Sequence, residues 1–228
     1  MGRYLAGLVA WGAERHAEPD LQPSRLTVDM FRPGTMGPTM AVPKVVRNGR
    51  RIKVVDVEVI VDEALVCRGS VVFLRRSAEP LVETWDVPSW TPPEPEDLVT
   101  MTDRFGWAPP WDQRPFGTWG TLEGRRGVWL RETQTFIAGE PDSPFLRVAL
   151  AADNANGTLN AGPRGLPYIN ADLTLTLAAL PEGAWIGMDP ISRVSSDGVS
   201  VGTCDVYDRT RRIGQVAMIG VADERNLA

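Results

Sequence analysis

Apolar residues cover nearly every side of the segment 142–157, and the rest of the chain is organised around it. Asp142 and Ser143 are both candidate N-terminal caps, Pro144 suits a first helical turn, and Gly157 is a typical helix stop. A helix that is apolar all round is buried all round. The pattern therefore predicts a buried helix over 143–156.

Alternation of apolar and polar residues, rich in β-branched side chains, predicts strands in both halves of the chain. The first half is predicted to be a buried helix over 3–17 and then four strands, with Asn48-Gly49 as a strong hairpin signal. In the second half, two strands precede the long helix and four follow it. The predicted strands are 25–32, 40–47, 52–61, 64–74, 118–122, 128–136, 168–177, 185–194, 199–207 and 215–221.

Regular periodicity disappears between residues 77 and 117, where many prolines mark an extended connector. A flexible linker has no use for the four tryptophans in this stretch. We therefore predict that Trp85, Trp90, Trp107 and Trp111 anchor the connector across the folded halves.

The two halves repeat each other. Leu26-Thr27-Val28 corresponds to Leu173-Thr174-Leu175 at an offset of 147 residues, and Asn48-Gly49 falls near the equivalent of Asp197-Gly198. A helix followed by a four-stranded antiparallel meander, twice, indicates an internal duplication. We expect an α+β fold in which each sheet curves round its helix and the two sheets join edge to edge.

The composition argues against several classes of function. The chain has 228 residues, a net charge of −5 and a pI near 5.0, which argues against nucleic-acid binding. A single histidine, His16, argues against a Ser-His-Asp or Cys-His catalyst. Cys67 and Cys204 lie far apart in strand-like runs, which indicates buried thiols rather than a disulfide or metal site. No stretch is long enough to span a membrane, so we expect a cytoplasmic protein.

The strongest candidate for chemistry is Asp153, at the end of the long helix. A carboxylate near the negative end of a helix dipole and beside apolar residues should resist ionisation. Asp153 is therefore either a tuned general base or, in the simpler structural interpretation, a solvated side chain at a fraying helix end. On this stretch alone the structural interpretation is the better supported.

The residues resemble a known family, the double-hotdog acyl-CoA thioesterases of the acyl-CoA thioesterase II type. Phe31-Arg32-Pro33-Gly34, followed by Arg47-Asn48-Gly49, is similar to the family's Arg-Pro-Gly strand end and its Arg-Asp-Gly hairpin. Ala152-Asp153-Asn154 resembles the Ser-Asp-Phe that carries the family's catalytic Asp, and Ile169-Asn170-Ala171-Asp172 resembles the stretch with its catalytic Thr or Ser. The resemblance implies two tandem hotdog folds and hydrolysis of a fatty acyl-CoA in lipid metabolism. Coenzyme A would be present only as part of the substrate, with no other cofactor and no metal.

The chain departs from the family pattern at two of three catalytic positions. The resemblance places Asn170 where the family has its catalytic Thr and Met218 where it has its catalytic Gln, so only Asp153 is retained. Gln215, three residues from Met218, should lie on the opposite face of its strand. We expect Asp153 to act as the general base and Asn170 to orient it. The alternative is a non-catalytic double hotdog that binds an acyl chain or a partner.

The resemblance also implies a domain division, with an N-terminal hotdog over 1–76, a connector over 77–117 and a C-terminal hotdog over 118–228. The family shows a Gly-Gly after an initial strand, whereas this chain opens with Met1-Gly2-Arg3. We therefore expect the first strand of the N-terminal hotdog to be missing, which leaves a sheet edge unprotected. Because family members also associate further, we expect a homodimer.

Overall fold

The computed structural model describes residues 2–85, 91–101 and 110–227. Its α-helices are α1 (Gly2–Glu14), α2 (Pro144–Ala152) and α3 (Ala155–Asn160). Its strands are β1 (Leu21–Met30), β2 (Thr39–Asn48), β3 (Ile52–Val61), β4 (Ala64–Arg75), β5 (Trp111–Gly117), β6 (Arg126–Glu132), β7 (Tyr168–Leu177), β8 (Ile186–Ser196), β9 (Val199–Tyr207) and β10 (Arg212–Ala222). Short 3-10 helices lie at Pro95–Asp97 and Glu224–Asn226.

The strands form one antiparallel sheet in the order β2-β3-β4-β1-β7-β10-β9-β8-β6-β5. The two blocks of four strands that follow the helices meet where β1 pairs with β7. Thr27 lies opposite Thr174 in this pair, and Leu26 lies opposite Leu175. Thr27 and Thr174, which are related by the 147-residue offset, thus pair with each other, and their neighbours pair reciprocally, Leu26 with Leu175 and Val28 with Leu173, as two similar units do about a local twofold axis. The expected edge-to-edge sheet is confirmed.

The main hydrophobic core lies between the sheet and the three helices. α1 packs on β1–β4 and against α2, while α2 and α3 pack on the strands of the second block and on β6. On β3, Val55, Val57 and Val59 are fully buried, whereas Asp56 and Glu58 between them are exposed. Burying such a side chain stabilises the fold by roughly 1.5–3 kcal/mol, so period-two alternation fixes which face meets the helices.

The second helix begins as predicted but does not continue as predicted. Ser143 is its cap, because the Ser143 Oγ accepts a hydrogen bond from the Leu146 main-chain N–H at 2.9 Å. The helix predicted over 143–156 breaks after α2 at Asp153, and a separate helix follows. Gly157 lies inside α3 rather than ending it. Burial of α3 against the sheet outweighs the low helix propensity of glycine there.

The segment before the second helix also differs from prediction. Residues 118–122, predicted to be a strand, form a loop. The strand lies earlier, as β5, within the stretch 77–117 that was assigned to the connector. Residues 111–117 therefore belong to the sheet, because β5 pairs along its whole length with β6. Pro115 disguises this strand in the sequence, yet proline is tolerated in β5 because β5 is an edge strand of the sheet that the described residues form.

The connector lies against β5 and β6. The indole Nε1 of Trp129 on β6 donates a hydrogen bond to the Pro93 carbonyl at 2.8 Å. The Arg114 guanidinium on β5 donates one to the Pro95 carbonyl, also at 2.8 Å. The sheet therefore supplies the side chains that anchor the connector at these points.

Neither of the two predicted anchors that the structure describes, Trp85 and Trp111, anchors the connector as predicted. Trp85 is 85% exposed, so it anchors nothing. Trp111 is half-buried, but it belongs to β5 rather than to the connector. Trp90 and Trp107 lie outside the described residues.

The two blocks differ at their outer strands. β8 pairs with β6 on its outer side, whereas β2, the corresponding strand of the first block, is an edge strand within the described residues. β2 therefore presents an open edge in the described part of the sheet. In the described ranges, no helix has the length and apolar character needed to cross a membrane.

Candidate active site

Asp153 and Asn170 meet at the junction of the two blocks. Asp153 follows the last turn of α2, and Asn170 lies near the start of β7. The Asn170 Nδ2 donates a hydrogen bond to the Asp153 Oδ1 at 2.5 Å. The same amide nitrogen lies 3.5 Å from the Met30 Sδ at the end of β1. The carboxylate is thus surrounded by elements from both halves of the chain.

A β-bulge turns Asn170 toward the helices. In the β7–β10 pair, Ile219 lies opposite Asp172 but Gly220 lies opposite Asn170, so Ala171 has no partner of its own. An extra residue in one strand reverses the alternation of the side chains beyond it. The Asp172 Oδ1 accepts the Ile219 main-chain N–H at 2.9 Å, which stabilises the bulge.

The start of α1 closes the other side of the carboxylate. A Cβ atom added at Gly2 would lie 2.3 Å from the Asp153 Oδ1 and 2.8 Å from its Cγ. Such an approach is open only to glycine, which has no side chain. The Arg3 main-chain N–H also interacts with the carboxylate. Helix N-termini favour a negative charge, so α1 stabilises the ionised form.

The partial burial of Asp153 and its hydrogen-bond partners together determine its pKa. Protein atoms surround the carboxylate, and the loss of hydration raises the pKa of Asp153 above its ordinary value. The Asn170 hydrogen bond opposes this rise most strongly among the described side chains, followed by the Arg3 backbone and the Arg3 charge. A carboxylate with a raised pKa is a stronger proton acceptor. The interpretation of Asp153 as a solvated helix end is therefore wrong, because its carboxylate is engaged on two sides.

Two site residues were missed by the sequence analysis. Gly2 and Arg3 reach Asp153 from the opposite end of the chain, and nothing local predicts that contact. A signal was nevertheless present, because Arg3 is the only charged residue in the first three turns of an otherwise apolar helix.

Models of two domain families match most of the chain. The model described as the acyl-CoA thioesterase N-terminal domain matches residues 2–74, and that of the acyl-CoA thioesterase C-terminal domain matches residues 83–219. The chain belongs to the acyl-CoA thioesterase family. No curated protein matched the chain in a sequence search.

Solved structures share the hotdog fold of this family. An acyl-CoA thioesterase II, TesB2, from Mycobacterium marinum is 18% identical, with a TM-score of 0.72 over 97% of this chain and 88% of that one. A putative thioesterase II from Thermobifida fusca is also 18% identical, with a TM-score of 0.76 over 97% and 86% of the two chains. A hotdog protein of unknown function from Alicyclobacillus acidocaldarius gives 18% identity and a TM-score of 0.71 over 98% and 90%. The fold of this thioesterase-family chain is thus shown.

The position at which the resemblance places the family's catalytic glutamine is occupied by Met218, which has no amide. Met218 is 4% exposed and lies in the core opposite Leu173. Gln215 faces away, as predicted, and its Nε2 donates to the Asp205 Oδ1 at 3.0 Å. Neither residue therefore supplies the glutamine amide of the family pattern to Asp153.

A surface cleft of about 790 Å³ lies at the far end of β7, near Leu177. Three arginines of the β9–β10 turn line it, including Arg209, which forms ion pairs with Glu94 and Glu96. The cleft includes neither Asp153 nor Asn170. It is therefore separate from the candidate site.

Proposed function

We propose that this protein hydrolyses a fatty acyl-CoA thioester, with Asp153 as the general base and Asn170 as the residue that orients it. The observation that carries the proposal is the Asp153–Asn170 hydrogen bond of 2.5 Å in a member of the acyl-CoA thioesterase family. Both side chains are half-buried, which leaves a face of the pair for water and substrate.

The proposed reaction is a water attack on the thioester carbonyl. Asp153 accepts a proton from the water as the water oxygen bonds to the carbonyl carbon. The Asn170 amide fixes the carboxylate so that its free oxygen faces the water. The carbon–sulfur bond then breaks, and the thiolate of coenzyme A takes up the proton that Asp153 accepted, which returns Asp153 to its ionised form. The products are the fatty acid and free coenzyme A, and no cofactor or metal is needed.

We further propose that the chain is a double hotdog. The 147-residue offset and the pairing of Thr27 with Thr174 support two equivalent units. The N-terminal hotdog would comprise α1 and β1–β4 within residues 1–76, and the C-terminal hotdog would begin with β5. The connector then ends before Trp111 rather than at 117.

The alternative function is a non-catalytic hotdog that binds an acyl chain or a partner. One observation favours it: Met218 fills the family's glutamine position, so the site lacks one hydrogen-bonding side chain. The two functions differ in a single measurable property, which is turnover.

The decisive experiment measures thiol release from short- and long-chain acyl-CoAs by the wild type and Asp153→Asn. Loss of a positioned base lowers the rate by roughly 10²–10⁴-fold. Asp56→Asn, at an exposed carboxylate on β3, is the control and should be fully active. Unchanged turnover in a folded Asp153→Asn variant would remove Asp153 from the mechanism. No turnover by the wild type on any chain length would establish the binding alternative.

The same variant has a predicted stability signature. The native pKa of Asp153 is raised, so the native state binds this proton more tightly than the unfolded chain does. The ionised carboxylate therefore lowers the free energy of unfolding at neutral pH. Asp153→Asn should be at least as stable as the wild type at pH 7. This advantage should disappear near the unfolded pKa of about 4, as thermal melts at several pH values would show.

We also propose that the protein is a cytoplasmic homodimer. The open edge at β2 and the exposed apolar side chains on the outer face of β8–β10, among them Val194, Val201 and Ile219, support association. Light scattering should give twice the chain mass of 25.0 kDa. A mass equal to that of one chain would contradict the dimer.

A further inference from the structure

α1 carries a buried arginine at its N-terminal end. Arg3 is 5% exposed, and it lies in the first turn of the helix, where there is no acidic residue to balance it. A cation is unfavourable there because the helix dipole is positive at this end. Burying a positive charge at a helix end that disfavours it is costly. Residues that break such local rules are concentrated at functional sites.

Glu132 and Trp111 hold the Arg3 side chain. The Arg3 Nη2 forms an ion pair with the Glu132 Oε1, and the Arg3 Cζ lies 4.0 Å from the centroid of the Trp111 ring. Both partners come from the β5–β6 hairpin. The Arg3 Nε is buried and has no hydrogen-bond partner in the described part of the chain. These contacts fix the guanidinium but do not use all of its donors.

Arg3 also acts on Asp153 in two ways. Its main-chain N–H interacts with the carboxylate, and its positive charge favours the ionised form. Both effects depend on the position of the first turn of α1. The hairpin holds that turn in place through Glu132 and Trp111.

We infer that Arg3, held by Glu132 and Trp111, is a positioning residue that keeps the Asp153 carboxylate charged and directed toward Asn170. The inference rests on the proposed function, because holding Arg3 in this position matters only if Asp153 accepts a proton in the reaction. The β5–β6 hairpin thereby becomes part of the support of the site.

Few charged groups bear on Asp153 from the elements packed against it. From α1 the Arg3 charge favours the carboxylate. Asn170 from β7 and Met30 from β1 are uncharged. The charged side chains on these strands and on β6 are those of Arg25 and Asp29 on β1, Arg126, Arg131 and Glu132 on β6, and Asp172 on β7, and none of them shifts the pKa of Asp153.

The test combines a pH profile with a direct titration. The pH dependence of kcat/KM and the carboxyl ¹³C titration of Asp153 are measured for the wild type, Arg3→Gln and Arg3→Lys. Arg147→Gln is the matched control, because Arg147 lies on α2, also has a buried Nε without a partner in the described residues, and binds main-chain carbonyls. If Arg3→Gln does not fold, the double variant with Glu132→Gln removes both charges of the pair and is measured instead.

Loss of the cation should raise the pKa of Asp153, so Arg3→Gln should move the acid limb of the profile and the ¹³C midpoint to higher pH. Arg3→Lys keeps the charge and should restore most of both. Arg147→Gln should leave both unchanged even if it lowers the melting temperature. An unchanged ¹³C midpoint in folded Arg3→Gln would overturn the inference. If the wild type hydrolyses no acyl-CoA, the proposed function fails, and the ¹³C titration still decides the role of Arg3.

Discussion

Replacing Gly2 with alanine should lower the activity strongly while the protein remains folded. The added Cβ would lie 2.3 Å from the Asp153 Oδ1, and ordinary van der Waals contact begins at 3.4 Å. The carboxylate or the first turn of α1 must therefore move by about 1 Å, a misplacement that can cost roughly 10²-fold in rate. The carboxylate cannot simply rotate away, because the Asn170 Nδ2 holds its Oδ1 at 2.5 Å.

Stability should change less than activity does. Alanine in a helix is favoured over glycine by roughly 0.5–1 kcal/mol, which offsets part of the strain at the site. The assay is thiol release from acyl-CoA at saturating and limiting substrate, together with the melting temperature. We expect kcat to fall about 10²-fold for Gly2→Ala while the protein remains folded.

Gly157→Ala is the matched control. Gly157 also lies in a helix, α3, and a Cβ added there would meet nothing within 4 Å. This variant should keep wild-type turnover and melt at the same or a higher temperature. Full activity in folded Gly2→Ala would refute the reasoning, because the position of the Asp153 carboxylate would then not limit the reaction.

Three further predictions concern the site and the core. Asn170→Ala should lower kcat less than Asp153→Asn does, since Asn170 only orients the base; an equal or larger loss in a folded protein would contradict this. Cys67 and Cys204 are fully buried, and burial raises the pKa of Cys67 to about 12, so neither thiol should react with Ellman's reagent until the protein unfolds. Rapid labelling of the native protein would argue against this. Glu14 accepts a hydrogen bond from the cap Ser143, and burial raises the pKa of Glu14. Its ionised form therefore lowers the stability of the native state above the unfolded pKa of about 4.3. Glu14→Gln should therefore melt higher than the wild type at pH 7 but not at pH 3.

The sequence by itself determined the local structure. Val55, Val57 and Val59 alternate with charged residues, and this period of two identifies a half-buried strand wherever it lies in the fold. The Ser143 cap and the Asn48-Gly49 hairpin were likewise readable, because each depends on a few neighbouring residues. The repeat indicated two similar units, because the order of helix and strands in one half can be compared with that in the other. The order of the motifs then gave the resemblance from which the hotdog fold was predicted.

Only the tertiary structure decided how the site is assembled. Asn170 faces Asp153 because a bulge at Ala171 reverses the strand alternation, and a register shift of one residue leaves no local signal. Gly2 and Arg3 reach the same carboxylate from about 150 residues away in sequence, through packing of α1 against α2. Burial by these distant elements, rather than anything near Asp153 in sequence, gives its carboxylate the raised pKa of a base.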